Sequence, residues 1–348
     1  LSHILLDLQR MEVHPLSLSG NACAMLLAMG VPALVLQACH YVATIAHTKE
    51  NPCIRDVTVL ECFSGCARIS EEFRARGARV TTYDKQNDST FQDLTTVAGF
   101  LSLLKKALRL KEGALLWFAN PCHMFVWMSS SIHKRRPENP WGDASQPSVC
   151  MSNCITSRAC LVLFIITCRG VWSAIEQPAS STLKWVPYFL HLRKLLMECN
   201  GELWKQCSFW MGLYGHDNAK PSYCIGSSRW IMKLKNQMTR NKRRDFSAAA
   251  KKVVVRKKRA DGTTTVTGTK KLTKTQEYPR AFAKAVATLH LEDTENVSHP
   301  PGLTLQGILN ARLDCPGDWS EAKLTELREF LVAEANSGAW EPLQGMPF

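Results

Sequence analysis

The sequence predicts an α/β fold, a doubly wound and mostly parallel sheet with helices on both faces. Two observations predict it. From Asp56 onward, short apolar runs of strand length alternate with segments of helical periodicity. The runs are continuously hydrophobic, as in strands covered on both sides.

"VTVLECF" (57–63) is the first strand, Ser64-Gly65 a turn, and "ARISEEFRARG" (67–77) an amphipathic helix with Ala67, Ile69 and Phe73 on one side. "ARVTTYD" (78–84) is the second strand, 98–110 a helix, and "ALLWFA" (114–119) the third strand, which stops at Asn120-Pro121. A long apolar helix over 149–168 leads to the strand "GVWSAIE" (170–176), a helix over 187–199, and the strands "ELWKQCSFW" (202–210) and "SYCIGSSRWIM" (222–232). "KKVVVRKKRADGTTTVTGTKKL" carries two β-branched runs around Ala260-Asp261-Gly262, a hairpin signal. "EYPRAFAKAVATLHL" (277–291) returns to helix; "SHPPGLTLQG" reads as a linker and 319–338 as a surface helix ended by Gly338. Three regions result: a helical N-terminal extension (1–54), a main domain (55–291), and a linker with a C-terminal helix (292–348). The opening on Leu1 is expected of a fragment or a processed form.

Residues 22–39 carry no charge and are just long enough for a membrane span. Gly30-Val31-Pro32 interrupts them and no basic flank precedes them, so a pair of packed helices broken at Pro32 fits better and no stable membrane association is expected. The fourteen cysteines are scattered without a Cys-x-x-Cys pair, which points to free thiols in a reducing, intracellular compartment. Cys62/Cys66 and Cys150/Cys154 lie at i,i+4 without a histidine pair, so core packing and no metal site is the reading.

The net charge of +13 has one location. Residues 233–274 hold fifteen Lys and Arg against Asp245 and Asp261, an excess equal to that of the whole chain. Such a surface suits a polyanion, because neutralised phosphates release counterions; the bland alternative is a solvated loop. "VRKKRA" is compatible with nuclear import. His133-Lys134-Arg135-Arg136 reads equally as a second phosphate contact or a solvated lid.

In an open parallel sheet, ligands sit at the carboxyl ends of the strands. The first strand ends in Glu61-Cys62-Phe63-Ser64-Gly65, a tight turn into a helix whose free N–H groups suit a polar cofactor group. The second ends at Asp84, 19 residues after Gly65, the distance at which an acid reaches ribose hydroxyls. Asp93 follows in "FQDLTTV", and the third strand ends at Asn120-Pro121-Cys122, where the proline stiffens the backbone just before the thiol.

In this order the motifs resemble the cytosine-5 DNA methyltransferases, and more closely the short, divergent methylase-like proteins related to them. "ECFSGCA" (61–67) is similar to the family's Asp-Leu-Phe-x-Gly-x-Gly, "NPCHMF" (120–125) to its Pro-Pro-Cys-Gln-x-Phe, and "AIEQP" (174–178) to its Glu-Asn-Val strand end. "YGHDNAKPSYCIGSSRW" (214–230) resembles the substrate-side strand and "YPRAFAKAVA" (278–287) the closing helix. The resemblance implies a Rossmann-like domain over 55–291 that binds S-adenosylmethionine. It makes Cys122 the nucleophile, Glu176 the acid that holds the base, and Phe63, Ser64, Gly65, Asp84, Asp93, Asn120 and Pro121 the cofactor shell, with Asp84 on the ribose and Asp93 at the adenine.

The implied chemistry explains these residue types. A thiolate adding to cytosine C6 activates C5, and a carboxyl at N3 stabilises the adduct. The base is flipped or already single-stranded. The segment 233–274 takes the place of the target-recognition region, with Arg229, Arg256, Lys257, Lys258 and Arg259 expected on DNA phosphates.

The chain departs from the family at four places. Ala67 stands for the turn's second glycine, Asn120 for the first proline, His123 for the polar amide, and Lys220 and Ser222 for an arginine pair. Asn120-Pro121 also resembles the Asn-Pro-Pro-aromatic of amino-methyltransferases, with Cys122 at the second proline. An inactive paralogue that only binds nucleic acid is the third reading.

Overall fold

The computed structural model describes residues 55–200, 204–249, 254–258, 262, 264–268, 275–296 and 329. The helices expected over 22–39 and, Glu329 apart, over 319–338 lie outside these residues. Nearly all the described residues belong to the compact unit formed by 56–197 and 202–302.

Its centre is a six-stranded sheet of order β2-β1-β3-β4-β6-β5, built from β1 (Val57–Cys62), β2 (Val80–Tyr83), β3 (Leu110–Phe118), β4 (Trp172–Pro178), β5 (Lys205–Trp210) and β6 (Pro221–Gly226). β1 to β4 are parallel, and β6 runs antiparallel between β4 and β5. The α/β, mostly parallel sheet expected from the sequence is present. β1 lies between β2 and β3, so the chain leaves it in two directions, and in open parallel sheets ligands bind where the direction changes.

Adjacent strand residues point to opposite faces, and helices meet both. On one side Glu61 of β1 accepts the Ser70 N–H of α1 (Arg68–Arg74) at 2.8 Å. The same side holds Trp117, whose ring meets Tyr278 and Phe282 near and within α6 (Arg280–Asn296) at 5.8 and 5.9 Å. On the other side Tyr83, the register partner of Cys62, donates to the Gly99 carbonyl of α2 (Val97–Leu108) at 3.0 Å. α3 (Pro147–Cys168) packs on α2 and β4. It is long and apolar enough to cross a membrane, and its buried Ala159, Val162, Leu163 and Ile166 belong to this core. α4 (Pro187–Asn200) precedes β5.

Two elements differ from the sequence reading. The strand expected over 222–232 stops at Gly226, which has φ +155°; a Cβ there would meet the Ser173 carbonyl oxygen at 2.1 Å, so only glycine lets the strand approach β4 this closely. Ser227 and Ser228 then bond to Ser173, and Arg229–Leu234 coils into a 3₁₀ helix that runs back along β5. Within the basic segment a helix not anticipated from the sequence, α5 (Arg240–Ala249), docks by laying Phe246 against Gly212. The hairpin is present as β7 (Val254–Lys258) and β8 (Thr264–Gly268), with Lys258 opposite Thr264.

Candidate active site at the carboxyl rim of the sheet

The register of the parallel strands sets the rim. Cys62 pairs with both Tyr83 and Phe118, and Phe118 with Ile175, so Phe63, Asp84, Ala119 and Glu176 each stand one residue further at neighbouring strand ends. At about 4.8 Å per strand the four ends span roughly 15 Å.

The first end turns sharply. Phe63, Gly65 and Ala67 all have positive φ, at 57°, 49° and 53°. Gly65 suits this backbone, and a Cβ built on it meets nothing within 4 Å, so the space above the turn is open. Ala67 is strained there, and it caps α1 without a side-chain bond. The Glu61 carboxylate takes over that capping from inside the sheet, and burial pushes its acid up to about 7 against the bonds from Ser70.

Asp84 braces the turn. One carboxylate oxygen accepts the Gly65 N–H and the other the Gln86 N–H, both at 2.8 Å. Asp93 is more heavily engaged: Lys85 Nζ lies 2.5 Å from it, and Thr95 donates its N–H at 2.9 Å and its hydroxyl at 2.7 Å. Burial raises its acid, but Lys85 and Thr95 outweigh that and hold it below the usual carboxylate range. Asp93 therefore ties its own loop to the start of α2.

The third strand end carries Asn120, Pro121 and Cys122. Asn120 is 4% exposed, and neither atom of its side-chain amide has a partner. Its carbonyl accepts Gln177 Nε2 at 2.7 Å, while Gln177 Oε1 accepts the Ser181 hydroxyl at 2.9 Å. Gln177 thus staples the thiol's loop to the strand that bears Glu176. Every carbonyl from Cys122 to Val126 accepts a bond: from Phe125 N, Ser129 Oγ, Arg135 Nε, Thr182 N and His133 Nε2 in turn. His133 Nδ1 accepts the Arg135 N–H, which fixes the tautomer with the proton on Nε2.

Arg135 is not a phosphate contact in this arrangement. It is 4% exposed and donates to the Met124 carbonyl at 2.7 Å, the Pro140 carbonyl at 2.6 Å and Asn153 Oδ1 at 2.8 Å, with its guanidinium 4.1 Å from the Phe125 ring centre. Lys134 and Arg136 are exposed.

Cys122 is half-buried. Burial pushes its thiol up, the charge of Glu176 pushes it further, and Lys220 opposes both. Cys122 therefore lies within electrostatic reach of both Glu176 and Lys220. Glu176 is 5% exposed; one oxygen accepts the Tyr278 hydroxyl at 3.1 Å and the other has no partner. Tyr278 in turn accepts Trp117 Nε1 at 3.4 Å, and Lys220 Nζ lies 5.7 Å from its ring centre. Burial and the neighbouring carboxylate raise the Tyr278 hydroxyl, so it keeps its proton and donates.

The expected nucleic-acid contacts do not all gather here. Arg229 lies over Trp172, the first residue of β4, at the opposite end of that strand from Glu176. Arg256, Lys257 and Lys258 belong to β7, with both lysines exposed; Arg259 lies outside the described residues. Gln177, Lys85 and Tyr278 were not singled out in the sequence, though Gln177 and Tyr278 fall inside motifs that were; Arg135 was, but as a surface cation and not as the brace of this loop. Among the described residues no group of three or more His, Cys, Asp or Glu is placed to hold a metal ion. No family model matches the chain, and neither a curated protein nor a solved structure is significantly similar to it.

Proposed function

We propose that the rim is the active site of an S-adenosylmethionine-dependent methyltransferase acting on cytosine C5, with DNA as substrate. One observation carries the reading: a half-buried thiol and a buried carboxylate stand on neighbouring strand ends, close enough that the charge of Glu176 acts on Cys122. The switch of direction around β1 supports a Rossmann-like, doubly wound architecture.

When bound, S-adenosylmethionine supplies an electrophilic methyl group. The residues present suit it. The space above Gly65 is clear, the Ser64 hydroxyl and the Asn120 amide are buried without partners, and Phe63 and Pro121 offer apolar surface beside them. Asp84 keeps further lone pairs for hydroxyl donors. Asp93, already bonded to Lys85 and Thr95, shapes the loop.

In this reading the Cys122 thiol loses its proton, and the sulfur forms a bond to C6 of a base taken out of the stack. C5 would take the methyl group as the methyl–sulfur bond breaks and a neutral thioether leaves; water then takes the C5 proton, whose bonding electrons restore the C5–C6 double bond as the sulfur–C6 bond breaks and frees Cys122. Lys220 favours the thiolate, while Tyr278 holds one oxygen of Glu176 and leaves the other for N3 of the ring.

DNA carrying 5-fluorocytosine tests this, because C5 cannot release fluorine as it releases a proton. The expected result, with S-adenosylmethionine present, is a Cys122 peptide heavier by the trapped strand and absent in Cys122→Ser. Methylation that persists in Cys122→Ser would overturn it.

The orphaned amide of Asn120 favours a second reading, transfer to an exocyclic base nitrogen, whose amino hydrogens its Oδ1 would accept. That enzyme would form no adduct and would lose activity in Asn120→Ala. A chain that only binds nucleic acid would show no heat on titration with S-adenosylmethionine.

A further inference from the structure

The carboxyl rim continues past Glu176 to a second opening. A cleft of about 480 Å³ lies between β5 and the segment that follows the 3₁₀ turn, lined among others by Ser208, Trp210, Ser222, Met232, Lys235 and Asn236. The volume falls in the range of about 300–1,000 Å³ typical of small-molecule sites.

Two features describe what it would take. Asn236 accepts the Trp210 N–H at 2.7 Å and donates to its carbonyl at 3.4 Å, which holds the Trp210 backbone in place at the end of β5. The charge around the mouth is positive: Lys233 and Lys235 are exposed on one side, and α5 brings exposed Arg240, Lys242, Arg243 and Arg244 against a single Asp245. Phe246 docks that helix on Gly212, and the Arg243 guanidinium lies 5.9 Å from the Trp210 ring centre. An indole and an apolar methionine lining one cleft, with cations at its mouth, match a flat heterocycle carrying phosphates.

We propose that this cleft holds one unpaired nucleotide of the bound strand, with its base against Trp210 and Met232 and its phosphates on Lys235 and Arg243. The proposal rests on nucleic acid being the substrate and deepens that reading. Register puts the cleft on the substrate side, since Ser222 pairs with Pro178, two residues beyond Glu176. A base held there would belong to a neighbour of the nucleotide presented to Cys122.

The test is fluorescence anisotropy of a short labelled single-stranded oligonucleotide with the full chain at two salt concentrations. Trp210→Ala should weaken binding about tenfold with the salt slope unchanged. Ser208→Trp, a substitution at an exposed position that fills the cleft and spares the core, should do the same. Lys235→Ala should lower the salt slope by about 0.7. A fully paired duplex should compete less well than the single strand. Unchanged affinity in Ser208→Trp and Met232→Ala, or equal competition by the duplex, overturns the proposal. The Cys122 adduct is read separately: its absence with single-strand binding intact removes the methyltransferase reading and leaves the cleft standing.

Discussion

Replacing Arg135 with methionine removes the guanidinium that closes the loop behind Cys122 and keeps most of its aliphatic bulk. Three acceptors then lose their donor: the Met124 carbonyl, whose bond is buried, and the Pro140 carbonyl and Asn153 Oδ1, whose bonds are partly buried. An orphaned buried acceptor costs about 2 kcal/mol, and each partly hydrated one roughly 0.5–1 kcal/mol. Loss of the cation over the Phe125 ring adds about 1 kcal/mol. The sum, about 4 kcal/mol, is a large part of the stability of a typical domain. Burial pulls the Arg135 guanidinium down to about 10, still well above neutrality, so the charge is present in the wild type under assay conditions. Urea denaturation at neutral pH measures the effect, and the rate of Cys122 alkylation reports the loop. We expect a lower urea midpoint and faster alkylation. A variant with unchanged midpoint that binds nucleic acid with a smaller salt slope would refute the brace and restore Arg135 as a phosphate contact.

Ala67→Gly relieves a left-handed alanine at the start of α1, so it should stabilise by about 0.5–1 kcal/mol and raise the calorimetric melting temperature by a few degrees. Glu61 has an ordinary value of 4.5 that burial raises to about 7, so the folded state holds its proton more tightly than the unfolded chain. Its contribution is most favourable below 4.5 and is lost as pH rises to about 7, on the order of 3 kcal/mol; denaturation series across that window should show the fall, and Glu61→Gln should flatten it. Tyr278→Phe leaves one Glu176 oxygen and the Trp117 indole without their partner, which should cost about 1–3 kcal/mol in denaturation and shift the pH profile of adduct formation; an unmoved profile would show that Tyr278 serves packing alone.

The strands and helices of the sheet were legible because each is a long apolar or periodic run. β6 was read too long because Ser227, Ser228 and Trp230 prolong an apolar pattern, and nothing in a sequence reveals that Gly226 meets a carbonyl of β4. α5 was invisible for the opposite reason: half of it is charged, and Phe246 is its one large apolar residue. The rim residues were readable in order, since strand ends announce themselves at Gly65, Asp84 and Asn120-Pro121. Their second partners were not. Arg135 looks like a surface cation until its carbonyl acceptors are known, and Tyr278 meets Glu176 across 102 residues. Asp93 looked like an available carboxylate, yet Lys85 and Thr95 occupy it from eight and two residues away.

The chain of bonds from Trp117 through Tyr278 to Glu176 sets an order of events on the ribosome. The carboxylate is synthesised a hundred residues before the phenol that holds it, and the indole earlier still. A nascent chain can pair β1, β3 and β4 while this corner stays undressed. Glu176 gains its phenol only when the segment leading into α6 docks, so this corner of the rim is closed by a part of the chain made well after the parallel strands it completes.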